Sequence, residues 1–164
     1  MIVIALGANL DSTVGTPAKT IVAAMEALSR QGVRIAAVSP FYATPAWPDA
    51  SDPPFINAAA RIDTNLAPAA LMEVLHTIES MFGRTRDAKN APRTLDLDLI
   101  DYDGKLDDGP PVLPHPRMAG RAFVLVPLAD VAPGWRHPAS GLTVEQLIAA
   151  LPNDAREAIR PATV

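Results

Sequence analysis

Asp96 and Asp98 stand two apart in the run Leu95-Asp96-Leu97-Asp98-Leu99-Ile100. Side chains two apart on a strand share a face, so the alternation puts both carboxylates on one side and the leucines on the other. The Cα atoms of the two acids are then expected about 6.5–7 Å apart, from a rise of about 3.3 Å per residue. Carboxylates at that spacing can straddle or share divalent cations. Arg84, Arg86, Lys89 and Arg93 precede them, and four cations can hold a polyphosphate beside the acids. Mg2+ takes one or two protein carboxylates and completes its octahedron with water and phosphate oxygens. The stretch 83–103 therefore carries the parts of a metal–phosphate site. An Asp/Leu alternation is also what a sheet with one solvated face looks like. The neighbouring cations are what favour chemistry.

The rest of the composition narrows the classes. At 164 residues, one domain spanning 1–164 is expected, large enough for a proper core. Hydrophobic residues are 49% and charged residues 20%, as in ordinary globular chains. No apolar run approaches the roughly 20 residues that span a bilayer, and no leader is recognisable in Met1-Ile2-Val3-Ile4-Ala5-Leu6. There is no cysteine, hence no thiol chemistry and no Cys-ligated zinc. A cytoplasmic location follows as the expectation, without membrane partners. The net charge of −4 argues against a general nucleic-acid surface. Yet Arg84, Arg86, Lys89, Arg93, Arg117 and Arg121 are six of the 14 basic residues and fall in one segment, which points to a local anion site. The Gly-Lys-Ser/Thr phosphate loop, the dinucleotide fingerprint and the His-Glu-x-x-His zinc motif are all absent.

The elements that must position these residues are legible from periodicity. Residues 2–7 form an apolar strand ended by Gly7-Ala8-Asn9-Leu10, read as a tight turn beside a cleft. Thr16 caps a helix that has Pro17 at its first position, Ile21, Met25 and Leu28 on one face, and Gly32 as its stop. Val33–Ser39 is a second strand, followed by an irregular Pro-rich loop from Phe41 to Pro54 that carries Thr44, Pro45 and Trp47. Phe55–Asp63 is a third strand, with Ile56, Ala58, Ala60 and Ile62 facing the core and Phe55 and Asn57 on the other face. The amide of Asn57 offers one acceptor and two donors in a plane, suited to reading the edge of a heterocycle. Pro68 opens a helix with a Leu71, Leu75, Ile78, Phe82 stripe, and Gly83 ends it. Thr143 and Gln146 make a capping box for a helix with Val144, Leu147 and Ile148. Trp135 and His137 read as structural, and residues 152–164 as a partly loose tail. Strand, helix, strand, strand, helix, strand is the order of an α+β ferredoxin-like sandwich. Its sheet is mainly antiparallel, with helices on one face and the cleft on the other.

The ten residues Ala91-Pro92-Arg93-Thr94-Leu95-Asp96-Leu97-Asp98-Leu99-Ile100 closely resemble the signature of the 6-hydroxymethyl-7,8-dihydropterin pyrophosphokinases. The run from Pro114 to Phe123 resembles that family's second signature region, Gly7-Ala8-Asn9-Leu10 its opening motif, and the likeness covers residues 2–130. The resemblance implies transfer of a pyrophosphoryl group from ATP to 6-hydroxymethyl-7,8-dihydropterin in folate biosynthesis, with AMP released. It implies two Mg2+ held by Asp96 and Asp98, and catalytic charge neutralisation by Arg84 and Arg93. By the same likeness Arg86, Lys89, His115 and Arg121 bind ATP, and Thr44, Pro45, Phe55, Asn57 and Phe123 bind the pterin. A monomer is expected. Four positions depart from the family pattern: Phe55 and Pro116 stand where Tyr is usual, Lys89 where Arg is common, and Asn90 where a bulky residue is frequent. The rival readings are a ferredoxin-like module that binds a small anion or nucleotide without turnover, and a structural subunit with a solvated Asp face.

Overall fold

The computed structural model describes residues 1–46, 49–84 and 92–162. Four strands carry the architecture: β1 (Ile2–Ala8), β2 (Arg34–Val38), β4 (Phe55–Asp63) and β5 (Asp96–Tyr102). Two helices connect them, α1 (Pro17–Arg30) after β1 and α2 (Pro68–Met81) after β4. A short strand β3 (Tyr42–Thr44) precedes β4. The sheet runs β5-β1-β4-β3-β8, where β8 is Arg160–Pro161, and β2 also pairs β4. Every pairing is antiparallel. The four principal strands thus stand in the order β5-β1-β4-β2 with both helices as crossovers, which is the ferredoxin-like arrangement.

Alternation decides which residues each face receives. Ile2, Ile4, Leu6, Ala58, Ala60, Ile62, Leu97 and Leu99 pack with Ile21, Leu28, Leu71, Leu75 and Ile78 of α1 and α2 in one core. Both helices begin with a proline at the first position, where its missing N–H leaves no bond unmade. Thr16 stands at the N-cap of α1, but its side chain makes no capping bond. The hydroxyl of Thr20 bonds the Thr16 carbonyl at 3.1 Å instead.

The opposite sheet face is covered at one end only. Helix α3 (Ala122–Val131) packs there with Val124, Leu125 and Leu128 against Val3, Ala59 and Ile100, backed by α4 (Val144–Ala150). The register between β1 and β5 shifts at Val3/Ile4, so Leu99 and Asp101 face consecutive residues of β1 and Ile100 is the extra residue. Asp101 is buried beneath this layer, accepting from Trp135 Nε1 at 3.0 Å and from the Gly104 N–H at 3.2 Å. That gives Trp135 the structural place its sequence context indicated.

The stretch read as irregular between residues 41 and 54 contains β3, which pairs Tyr42 with Asn57, Ala43 with Ile56 and Thr44 with Phe55. Three residues are too few to show a period. Between β2 and β3 the buried Ser39 keeps the ladder closed: its hydroxyl accepts the Ala59 N–H at 3.0 Å. The tail carries secondary structure over its described length. After α4 it forms α5 (Asn153–Ala158) and then β8, which lies along β3 with Tyr42 opposite Pro161 and Ala43 opposite Arg160. Two short strands, β6 (Asp107–Asp108) and β7 (Val112–Leu113), make a separate hairpin.

Candidate active site

The half of the sheet that α3 leaves uncovered carries Asn57, Asp96 and Asp98. Register sets Asn57 of β4 opposite Gly7 of β1, and Gly7 opposite Asp96 of β5. Asn57, Gly7 and Asp96 therefore form a row across three adjacent strands, with Asp98 two residues along from Asp96, opposite Ala5. Phe55 shares this face by the same alternation.

Asn57 is buried, and its Nδ2 donates to Thr44 Oγ1 at 2.9 Å. The hydroxyl of β3 thereby fixes which way the amide faces. Gly7 has no steric freedom to spare: a Cβ there would lie 3.2 Å from Asn57 Oδ1 and 3.9 Å from Asp96 Cβ. Its backbone is ordinary strand, so the glycine serves the space above the sheet and not a turn.

Asp96 receives two arginines. Arg84 Nη1 donates to Oδ1 at 2.5 Å and Arg93 Nη1 to Oδ2 at 3.0 Å. Arg84 also pairs with Glu79, which is 2% exposed. Glu79 Oε1 accepts the Leu97 N–H at 2.8 Å as well, so one buried carboxylate on α2 anchors both the arginine and the acid-bearing strand. Gly83, at φ +82°, ends α2 in the left-handed conformation glycine favours and turns the chain toward Arg84.

His115 faces the second acid, with Nε2 3.9 Å from Asp98 Oδ1. Its backbone N–H donates to the Ile100 carbonyl at 2.9 Å, and its Nδ1 accepts the Arg117 N–H at 3.2 Å. The proton of the neutral ring therefore sits on Nε2, toward Asp98. Burial lowers the His115 pKa against the pull of Asp98. Burial, then the Asp96 charge, raises that of Asp98 against His115, Arg121 and Arg84. Arg121 caps the start of α3, feels the charges of Asp98 and Asp96, and has its own pKa lowered by burial and by Arg117. Its guanidinium lies over the ring of Phe123, 5.4 Å from the centroid.

The sequence-identified residues Arg84, Arg93, Asp96, Asp98, His115 and Arg121 thus form one charged cluster, while Thr44 and Asn57 form a hydrogen-bonded pair beside it. Phe55 lies across from Thr44. Pro45 lines an open cavity of about 390 Å3 together with Thr44, Asp52, Pro54, Ala158 and Arg160. Arg86, Lys89, Asn90 and Trp47 lie outside the described residues.

Three residues of this region were not singled out individually from sequence. Glu79 sits beside the apolar stripe of α2, and an acid one turn before a basic run was its only signal. Gly7 was read as part of a turn, although glycine inside an apolar strand marks a close approach. Asn9 is 3% exposed and ties three segments together. Its Nδ2 donates to the Pro53 carbonyl at 3.0 Å, its Oδ1 accepts the Arg93 N–H at 2.8 Å, and its N–H donates to the Arg93 carbonyl at 3.0 Å.

Among the described residues no group of three or more His, Asp or Glu side chains is placed to hold a metal ion. Asp96 and Asp98 offer a partial shell on one face, which fits a cation that brings phosphate oxygens with it. No helix among the described residues is long and apolar enough to cross a membrane.

Residues 3–133 match the family model described as 7,8-dihydro-6-hydroxymethylpterin-pyrophosphokinase, leaving the C-terminal tail outside the matched span. The chain is 44% identical over 156 residues to the 2-amino-4-hydroxy-6-hydroxymethyldihydropteridine pyrophosphokinase of Pseudomonas aeruginosa, covering 94% of this chain and 93% of that one. It is 41% identical over 145 residues to the enzyme of the same name from Methylorubrum extorquens, covering 87% and 90% respectively. In fold it resembles the HPPK-DHPS of Plasmodium falciparum, a triple mutant crystallised with pteroate, at a TM-score of 0.71 and 13% identity. That likeness covers 99% of this chain and 46% of the larger protein.

Proposed function

Because the chain belongs to the 7,8-dihydro-6-hydroxymethylpterin-pyrophosphokinase family, we propose that it transfers the pyrophosphoryl group of ATP to 6-hydroxymethyl-7,8-dihydropterin in folate biosynthesis. The substrate hydroxyl oxygen bonds the β-phosphorus, the bond from that phosphorus to the α-phosphate bridging oxygen breaks, and AMP leaves. The hydroxyl proton is released. A cytoplasmic monomer composed of one domain over 1–164 suits this reading.

The observation that carries it is the row Asn57, Gly7, Asp96. It sets a heterocycle-reading amide, a bare strip of backbone and a carboxylate side by side on one open face. A flat ring lying over Gly7 would present its edge to Asn57 and its substituent toward the acids. Phe55 on the same face and Phe123 beside Arg121 supply aromatic surface for it, and Thr44 orients the Asn57 amide.

Asp96 and Asp98 would hold Mg2+, two ions in our reading. When bound, the cations neutralise phosphate charge and acidify the attacking hydroxyl. Asp96 has both oxygens occupied by Arg84 and Arg93. Nucleotide phosphates offer those arginines new partners, which frees the carboxylate as the substrate arrives. Arg84 and Arg93 then neutralise charge on the transferring group, while Arg86, Lys89, His115 and Arg121 position the nucleotide.

The deciding experiment mixes protein, ATP, Mg2+ and the pterin and identifies the nucleotide product. AMP in step with pterin consumption is expected. Stoichiometric ADP would reject the reading, and ligand binding without turnover would favour a sensing module.

A further inference from the structure

From its pairing with β3, we infer that the C-terminal strand β8 is a positioning element of the pterin side of the site. The inference rests on the function proposed above. Asn57 owes its amide orientation to Thr44, and Thr44 is the last residue of a three-residue strand. On one side β3 has β4; on the other it would present an open edge, and short unsupported pairings are marginal in water.

The tail closes that edge. Ala43 stands opposite Arg160 and Tyr42 opposite Pro161. The Ala162 N–H donates to the Phe41 carbonyl at 2.8 Å. Ile159 is buried at the start of the pairing, which anchors the strand by an apolar contact as well as by its ladder. Tyr42 is held from a third direction, its hydroxyl donating to Asp130 of α3 at 2.8 Å. Ala158 and Arg160 also face Thr44, Pro45, Asp52 and Pro54 across the shared cavity, so the tail borders the segment entering and leaving the loop after β3. No described part of the tail is paired with β5 or its acids, the strand at the opposite end of the sheet. The tail and the acids of β5 are therefore separated by β1, β4 and β3.

The test is a chain ending at Ala158, assayed alongside Thr44→Val and the combination of the two. The parent's AMP production is measured first and judges the function by itself. The truncated chain should raise the pterin KM about five- to tenfold, the scale of one lost hydrogen bond. Its ATP KM should stay within about twofold of the parent. Thr44→Val should raise the pterin KM similarly, and the double variant should be no worse than the weaker single one, because both act through the Asn57 amide. Additive effects, equal weakening of both substrates, or an unchanged pterin KM would each overturn the inference. If the shortened chain loses its thermal transition, Ala162→Pro takes its place, since it removes the N–H that bonds Phe41 and keeps the rest of the tail. A pterin KM raised about two- to threefold, with ATP unaffected, is then expected. No change there overturns the inference equally.

Discussion

Glu79 accepts the backbone N–H of Leu97 at 2.8 Å, from a helix into the strand that holds both acids. The same carboxylate oxygen pairs with Arg84, which in turn meets Asp96. Helix α2, the basic segment after it and β5 are thereby locked into one unit through a single buried anion. An isolated buried carboxylate is costly, and here its charge is met by an arginine and a peptide N–H.

Replacing Glu79 should therefore separate two contributions. Glu79→Leu leaves both the Leu97 N–H and part of Arg84 unpaired and should cost about 3 kcal/mol. Glu79→Gln keeps an acceptor for Leu97 while removing the charge, and should cost about half as much. Both should lower kcat, since Arg84 loses the partner that aims it. Thermal denaturation and steady-state assays decide this. Equal melting temperatures for parent and Glu79→Leu would mean that the anchor is idle.

Asp96 and Asp98 look interchangeable in sequence and differ in the fold. Asp96 has two arginine partners, so Asp96→Asn should destabilise the metal-free protein by about 1.5–3 kcal/mol, the range for hydrogen bonds to charged groups. Asp98 is buried beside a like charge, which raises its pKa. A carboxyl that holds its proton more tightly folded than unfolded favours folding fully below the ordinary value of about 3.9. That contribution is lost as pH climbs through the raised folded value. At pH 7 the ionised Asp98 is thus a burden on the metal-free fold, and Asp98→Asn should raise Tm there. The advantage should shrink as the pH is lowered toward the ordinary carboxylate value. Tm measured in chelator from neutral to mildly acidic pH checks both directions. A lower Tm for Asp98→Asn at pH 7 would contradict this account. Both variants should still lose turnover.

Gly7→Ala tests the bare strip. Alanine is the better strand residue in isolation, by roughly 0.5–1 kcal/mol of backbone entropy. Its Cβ would press on Asn57 Oδ1 at 3.2 Å and project above the sheet. Thermal stability should change little, while pterin affinity falls about tenfold and ATP affinity holds. Should calorimetry find unchanged pterin binding, the ring does not lie over Gly7.

Much of this architecture was legible because local patterns agreed with the fold. β4 begins at Phe55 and ends at Asp63, the bounds its alternation gives. The capping box of α4 forms with both bonds, Gln146 N–H to Thr143 Oγ1 at 3.2 Å and Thr143 N–H to Gln146 Oε1 at 2.9 Å. Helix α3 was not legible: Pro127 lies inside it, and its sequence is apolar apart from Asp130, so neither a stop nor a stripe marks it. β3 and β8 escaped for another reason. Each is only two or three residues long and is defined by partners far away in sequence, which no local period records. The charged cluster was legible as a list of residues. Its wiring was not, because Glu79 and Asn9 act through backbone groups that sequence does not distinguish.

Asn9 offers the sharpest test of that wiring. Its side chain faces two ways, donating to Pro53 before β4 and accepting from Arg93 before β5. The two bonds can be removed unequally. Asn9→Leu keeps the volume and removes both, leaving the Arg93 N–H without its side-chain acceptor. Asn9→Asp keeps an acceptor for Arg93 but sets a carboxylate oxygen against the Pro53 carbonyl, where no proton is available to bridge them. If Pro53 is held for the sake of the pterin side, Asn9→Asp should weaken pterin binding and leave ATP binding near the parent's. Asn9→Leu should weaken both, because Arg93 is then displaced from Asp96 as well. The expected loss is about 1–3 kcal/mol per affected ligand, the cost of an unsatisfied buried group. Calorimetry of each ligand on parent and variants reads this directly. A uniform loss in Asn9→Asp, or a normal ATP affinity in Asn9→Leu, would show that the two ends of the amide do not serve separate ligands.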